Sequence, residues 1–448
     1  MNTRSGDADV IVIGGGIAGL AAALRLKDRG LMPLVLEAEE RVGGRMTTDR
    51  IKEFVIDRAV SLLGSRFEGM KVLAKRAGLG GLVCKDQNTV ALMEKDGLRS
   101  YRARRPDDLV FDRYLSTSAK LASLRFLWDI TRNHWRLSHG RSDRALHLDK
   151  WSSGEYFQEL GKGGEELFTR LFERTMNSPL GGAARSVSAM VLLQVVRNTF
   201  GGGLWNLRGG VDQIPMALSR QVGVVTGARV QSVKYSRTSV SVEAMDNESK
   251  RSYGARGVIF AVPGKFVPQL CVELPGWIGG PLRAMTYTRI ASAHVALSQQ
   301  PNASLQSYTF AEERSDAVQA VSLEHLRGTA RCPAGKGLVS IYFGERPDFA
   351  CAAASDGELR GRAEKLIEDQ FPECRRQIEF IHLVRWPTAI AFFPRGVITS
   401  MVEIRRRLPA WEMPVDFCGD YLDGIASEAA LRTGEQAAER LADKLGRV

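Results

Sequence analysis

Apolar positions along the chain come in short runs separated by glycine and charge. The first, Val10-Ile11-Val12-Ile13, follows a polar segment, Met1 to Asp9, and predicts a buried strand. It leads without a break into Gly14-Gly15-Gly16-Ile17-Ala18-Gly19. From Leu20 to Leu26 the composition is Ala and Leu with one Arg, which predicts a helix. A second apolar run, Leu34-Val35-Leu36, predicts a strand ending at Glu37. Near the other end, Val415-Asp416-Phe417-Cys418 predicts a strand and Gly419-Asp420 a turn. Ala429 to Leu445, with Ala and Leu on one face, predicts a closing helix. The longest apolar stretches are strand-sized, short of the roughly 20 residues that span a bilayer.

The glycine pattern GxGxxG therefore sits at a strand-to-helix turn. Gly14 permits the tight turn, Gly16 lets the backbone approach a pyrophosphate at the positive end of the helix, and Gly19 lets helix and strand pack closely. Glu37 stands 23 residues after Gly14, where a carboxylate accepts hydrogen bonds from ribose hydroxyls. The same charge repels a 2′-phosphate and disfavours NADP. These features do not choose between FAD and NAD.

The choice comes from Glu37-Ala38-Glu39-Glu40-Arg41-Val42-Gly43-Gly44-Arg45, where two more glycines admit a ligand and Arg45 can neutralise a pyrophosphate. Here the chain resembles the flavin-containing amine oxidase superfamily, which includes monoamine oxidases, protoporphyrinogen oxidases and carotenoid desaturases. Their shared signature is this dinucleotide fingerprint followed by an RxGGR block. Further along, Phe54 to Ala59 resembles a short strand ending near the flavin, with Ala59 in place of a glycine. Arg208 to Leu218 is similar to the family's GG-x-x-x-L block, and Val258 to Pro263 to its strand with a Val-Pro exit. The resemblance implies an α/β fold: a Rossmann-like FAD-binding domain built from discontinuous segments plus a mixed α+β substrate domain. The expected cofactor domain is residues 1–64, 205–272 and 395–448, and the substrate domain 65–204 and 273–394. It implies FAD contacts at Gly14, Gly16, Ile17, Ala18, Gly19, Glu37, Ala38, Gly43, Gly44 and Arg45. Val230 would meet the adenine, Gly419 and Asp420 the ribityl chain, and the helix start near Ala426 the flavin N1/O2 edge. Gly434 would let that helix pack closely.

Three departures separate the chain from a typical amine oxidase. The two aromatics that orient an amine fall at Ala389 and Ala426. The cysteine that binds flavin covalently in some members falls at Thr388, so FAD is expected to be non-covalent. A Lys that holds a water at flavin N5 falls at His294, whose imidazole suits general-base work, the alternative being a structural His on a strand. Arg385-Trp386-Pro387 with Pro394-Arg395-Gly396, and Leu148 to Tyr156, lean toward the porphyrinogen-oxidase side. The expected reaction is dehydrogenation by hydride transfer to flavin N5, leaning to C–C or C–N desaturation, with oxygen as the acceptor. Oxidation of an amine or amino acid, a redox-neutral isomerase and a non-catalytic flavin-binding protein are the alternatives.

Charge adds one element. The 62 basic and 51 acidic residues leave a net +11, which suits an anionic small-molecule substrate. The charges form no tail, and no nucleic-acid partner is expected. Arg102 to Arg144 mixes Arg and Lys with Leu, Phe and Trp and predicts basic amphipathic helix; core packing is the expected use of its apolar side and contact with a membrane surface the lesser one. Six cysteines without a CxxC pair fit isolated thiols in a reducing compartment. A soluble, cytoplasmic protein without a metal site is expected.

Overall fold

In the computed structural model the residues described are 8–85, 89–94, 97–102, 110, 112, 114–180, 184–199, 203–246, 249–310, 317–327 and 330–446. Val10–Ile13 is fully buried and lies at the centre of a five-stranded parallel sheet. Across that sheet the order is Gly223–Val225, Pro33–Leu36, Val10–Ile13, Gly257–Phe260 and Val415–Phe417. Ile11 pairs with Leu34 on one side and Val258 on the other. Both faces are covered, which is why these strands read as continuous apolar runs rather than alternating ones. Val10, Val12, Val35 and Ile259 pack under the helices Ile17–Asp28 and Ser427–Leu445. Ile11, Ile13, Leu34 and Val258 face the opposite way, with a three-stranded antiparallel sheet of Ala228–Tyr235, Val240–Asp246 and Ser249–Ala255.

The two helices meet backbone to backbone. A Cβ at Gly434 would overlap the Ala18 carbonyl oxygen, and one at Gly19 would overlap the Gly14 carbonyl oxygen. Glycine is required at both places by space alone.

A second sheet of seven strands has the order Ile378–Trp386, Ile290–Leu297, Gly337–Gly344, Val318–Leu323, Ser307–Phe310, Thr89–Glu94, Gly97–Arg102. Its two faces differ. Ala291, Ala293, Val295 and Leu297 pack with Leu359, Ala363 and Ile367 of helix Asp356–Gln370. Ser292 and His294 alternate with them and point the other way, as period-two geometry requires. The strands of the parallel sheet fall within residues 1–64, 205–272 and 395–448, and those of the seven-stranded sheet within 65–204 and 273–394. Helix Gly276–Ala284 nonetheless lies beside the parallel sheet, with Trp277 edge-on to Trp411 and the Arg407 guanidinium 4.3 Å above its ring.

The basic segment differs from its expectation. Its described helix is Thr117–Arg132, preceded by residues 103–109, 111 and 113, which lie outside the described residues. Ser116 caps that helix by accepting from Ala119 N–H. It ends at Asn133, whose side chain donates to the Asp129 carbonyl. Its inward side places Phe126 against Phe157 and Phe172.

Replacing Gly434 by Ala forces these helices apart. The expected loss is about 1–3 kcal/mol, the usual range for overpacking, read as a lower thermal midpoint; an unchanged midpoint would show that the contact yields freely.

Candidate active site and cofactor cradle

The loop after the first strand is shaped by backbone that only glycine adopts easily. Gly14 has φ 111°, and a Cβ there would stand 2.8 Å from the Ala261 carbonyl oxygen. Gly43 and Gly44 also have positive φ, 113° and 54°. Gly43 N–H donates to the Gly15 carbonyl, which seats the RxGGR block against the dinucleotide loop. Space above Gly16 is open: no heavy atom lies within 4 Å of the place its Cβ would take. Gly16 is also the N-cap of helix Ile17–Asp28 and supplies no capping side chain. The first N–H groups of the helix, Ile17, Ala18 and Gly19, thus lack intrahelical acceptors at a glycine-walled opening, an anion-binding arrangement.

Glu37 closes one end. Its carboxylate accepts from Gly15 N–H at 2.6 Å and Glu39 N–H at 2.9 Å, and burial pushes its pKa up against those bonds. Its backbone carbonyl, next to Ala38, accepts from Ala228 N–H at 2.8 Å. That bond brings in the strand carrying Val230, so Glu37, Ala38 and Val230 share the same end of the cradle.

Arg45 and Asp420 close the other end. The guanidinium makes two parallel bonds to the carboxylate, 2.7 and 2.8 Å, and a third to the Ala389 carbonyl at 2.7 Å. Burial works against the Arg45 charge, and Asp420 outweighs it and raises the pKa. Arg45 is thus engaged with Asp420, a pairing absent from the sequence expectation. Gly419 has φ 150°, and its N–H donates to the Thr433 hydroxyl. Ala426 is the N-cap of helix Ser427–Leu445, again without a capping side chain. Two uncapped helix starts, the open glycine wall and the Glu37 carboxylate fit a flavin dinucleotide.

The polar face of the seven-stranded sheet carries the candidate base. His294 is 1% exposed. Its Nε2 lies 3.0 Å from Ser292 Oγ and its Nδ1 2.9 Å from Ser340 Oγ, so both ring nitrogens have hydroxyl partners. Burial pushes its pKa down to about 4, and the imidazole is neutral at physiological pH. Directly opposite on the neighbouring strand stands His382, 6.3 Å away ring to ring. His382 Nε2 is 2.8 Å from the carboxylate of Asp49. Tyr342, its hydroxyl pushed up to about 12 by burial, packs edge-on to His294. Asp57 turns to Arg331, 2.5 Å away, and accepts from the Thr48 hydroxyl and Val211 N–H.

Sequence reasoning missed His382, Asp49 and Tyr342 because their partners come from separate segments. The available signal was polar residues two apart inside apolar strands, as in Ser292-Ala293-His294. Of the aromatics near Ala389, Phe393 is buried in the core and Phe392 lies in a two-residue strand paired with Thr286. Cys418 is buried in the helix-covered core, and burial raises its thiol pKa. A surface cleft of about 290 Å³ at Glu40, Arg41, Thr48, Asp212 and Met216 contains none of the cradle residues.

This fold and cradle fit a flavin-dependent oxidoreductase that takes FAD. The model of the flavin containing amine oxidoreductase family matches residues 17–442, and the chain belongs to that family. A flavin-containing amine oxidase of Oncorhynchus mykiss is 24% identical over 100% of this chain and 88% of its own length. Among solved structures, one described as a protoporphyrinogen oxidase from Exiguobacterium sp. 255-15 has TM-score 0.76 at 16% identity, covering 97% of this chain and 98% of its own. Cyclohexylamine oxidase from Brevibacterium oxydans IH-35A has TM-score 0.73 at 18% identity, covering 98% and 100%. No described helix is long and apolar enough to cross a membrane.

Two outcomes are expected. Glu37→Gln removes the charge proposed to face the ribose and is expected to weaken FAD binding about tenfold, the scale of one charge-assisted hydrogen bond, read by titrating apoprotein with FAD; unchanged affinity would remove Glu37 from the cradle. His294 is depressed below its ordinary 6.5, so the unfolded chain takes up its proton first as pH falls. Its stabilising contribution is complete above about pH 6.5 and is lost as pH falls toward 4. His294→Asn should flatten that part of a denaturation-versus-pH curve, and an unaltered slope would count against burial in the neutral form.

Proposed function

We propose that the protein dehydrogenates a small anionic substrate at a C–C or C–N bond, leaning to a porphyrinogen-like or secondary-metabolite compound, with oxygen as the electron acceptor. Bound FAD supplies the hydride acceptor at N5. The substrate also gives up a proton, and the protein's part is to bind, orient, exclude water and accept that proton.

The observation that carries this reading is the polar layer on the sheet face opposite the helix Asp356–Gln370, where Ser292, His294 and Ser340 are buried and His382, partly exposed, meets Asp49 of strand Thr48–Ile51. Small side chains at Ala389 and Ala426 agree with it, since neither builds an aromatic cage. His294 is the proposed proton acceptor, acting through a serine hydroxyl. A pKa of about 4 makes it a weak base at neutral pH. His382, oriented by a carboxylate, is the second candidate.

An anionic substrate is supported by two arginines. Arg197 is buried and donates to the His134 carbonyl, Ser138 and Asn198. Burial first, and then Arg66 beside it, pull its pKa down to about 10. Among the described residues no carboxylate pairs with either arginine. They adjoin the C-terminal motif: Gln194, one turn before Asn198, donates to the Asp423 carbonyl.

Anaerobic reduction of the purified protein tests the reading. Porphyrinogen-like and polyene acids should bleach the oxidised flavin band, with recovery on admitting air. Bleaching by amines or neutral amino compounds alone would replace it with amine oxidation. Turnover without consumption of any acceptor would make it an isomerase. With an anionic substrate in hand, Arg197→Gln should raise KM about tenfold or more with little change in kcat, the pattern of lost ground-state binding; His294→Asn and His382→Asn should separate the two bases by which one alters the pH dependence of kcat.

A further inference from the structure

Helix Thr117–Arg132 turns the wrong side outward for a helix that only packs on a core. Its inward residues are Ala119, Ala122, Ser123 and Phe126. Its outward residues include Leu121, 64% exposed, Leu124, 51%, and Trp128, 64%. These three stand at i, i+3 and i+7, one continuous stripe. Just past the helix, Trp135 is 73% exposed. No other described segment leaves two tryptophans this open, and burying one such ring removes on the order of 200 Å² of aromatic surface from water.

The charge around the stripe has one sign. Arg125 and Arg132 project beside it, one turn on either side of Trp128, and Arg136 is exposed next to Trp135. The helix has a single acid, Asp129, which is half-buried, accepts from the Tyr156 hydroxyl at 2.9 Å and lies 3.9 Å from Arg132. The exposed face therefore presents Leu and Trp flanked by guanidinium groups. A second copy of the same face would bring like charges together, with no carboxylate to meet them.

We propose that this face docks on an anionic lipid bilayer, with the helix lying in the plane of the headgroups. Leu121, Leu124 and Trp128 would enter the boundary between headgroups and acyl chains, Trp135 would sit at headgroup level, and Arg125, Arg132 and Arg136 would meet lipid phosphates. The contact is peripheral, and it is independent of the proposed substrate. Its charge component weakens with salt, because exposed charges are screened over about 8–10 Å at physiological ionic strength.

The test uses the FAD-loaded protein and vesicles of phosphatidylcholine alone or mixed with phosphatidylglycerol. Cosedimentation is expected with the mixed vesicles and much less with the neutral ones, accompanied by a blue shift of tryptophan emission. Trp128→Ser with Trp135→Ser should abolish the partition. Arg125→Glu with Arg132→Glu should lower it by about fivefold per charge removed. All four positions are exposed, and retained flavin content and thermal midpoint check that the variants fold. Equal binding to both vesicles, no binding to either, or binding that survives the tryptophan variant would overturn the proposal. So would a dimer in sedimentation velocity that the Trp128→Ser change dissociates, since the stripe would then belong to a second copy.

Discussion

Backbone contact between helices Ile17–Asp28 and Ser427–Leu445, through Gly434 on the Ala18 carbonyl, holds the two ends of the chain together. Much else follows from that approach. It lays the last helix beside the first on one face of the parallel sheet, with Leu431, Ala438 and Leu441 against Leu20 and Leu24. It places the strand Val415–Phe417 at the sheet edge beside Gly257–Phe260. It carries Gly419 and Asp420 to the mouth of the glycine loop, where Arg45 takes Asp420 in a two-bond ion pair. Two helix starts, 410 residues apart in the chain, then serve one cradle without a capping side chain at either. Leaving both uncapped forgoes roughly 1 kcal/mol at Ala426 and a few tenths at Gly16, and an anionic ligand restores that stabilisation when it accepts from the exposed N–H groups.

The second sheet is organised by a different constraint, the cost of burying polar groups. Its helix-covered face is apolar, and its other face holds Ser292, His294 and Ser340 out of water. The imidazole meets that cost by staying neutral and bonding two hydroxyls. Asp57 meets it through Arg331, Thr48 and the Val211 N–H. Burial raises the Asp57 pKa against these partners. Sites that accept such costs are where function concentrates, and this layer is where the proposed proton transfer is placed.

Much of the local geometry of the proposed cradle is legible in the sequence. Gly14, Gly16, Gly19, Gly43 and Gly44 could be assigned because each answers a local demand: a positive φ, an open wall or a close packing contact. The position of Glu37 was legible as the end of the second apolar run, and the fold class through the family resemblance that the motifs carry. The layer of Asp49, His382 and Tyr342 was not legible. Its members are joined across strands at sequence separations that no local pattern records, as in the separation of 333 positions from Asp49 to His382.

By itself, then, the sequence determined the glycine loop between strand and helix, through backbone sterics and short apolar runs, and the family, through the resemblance that the RxGGR block carries. Tertiary structure decided that Arg45 binds Asp420, that His294 is neutral with both nitrogens engaged, and that Leu121, Leu124 and Trp128 face outward. The physical reason is the same in each case. Partner choice, burial and the side of a helix that meets water are set by which distant segments arrive next to a residue, and amphipathic spacing states only that two sides differ.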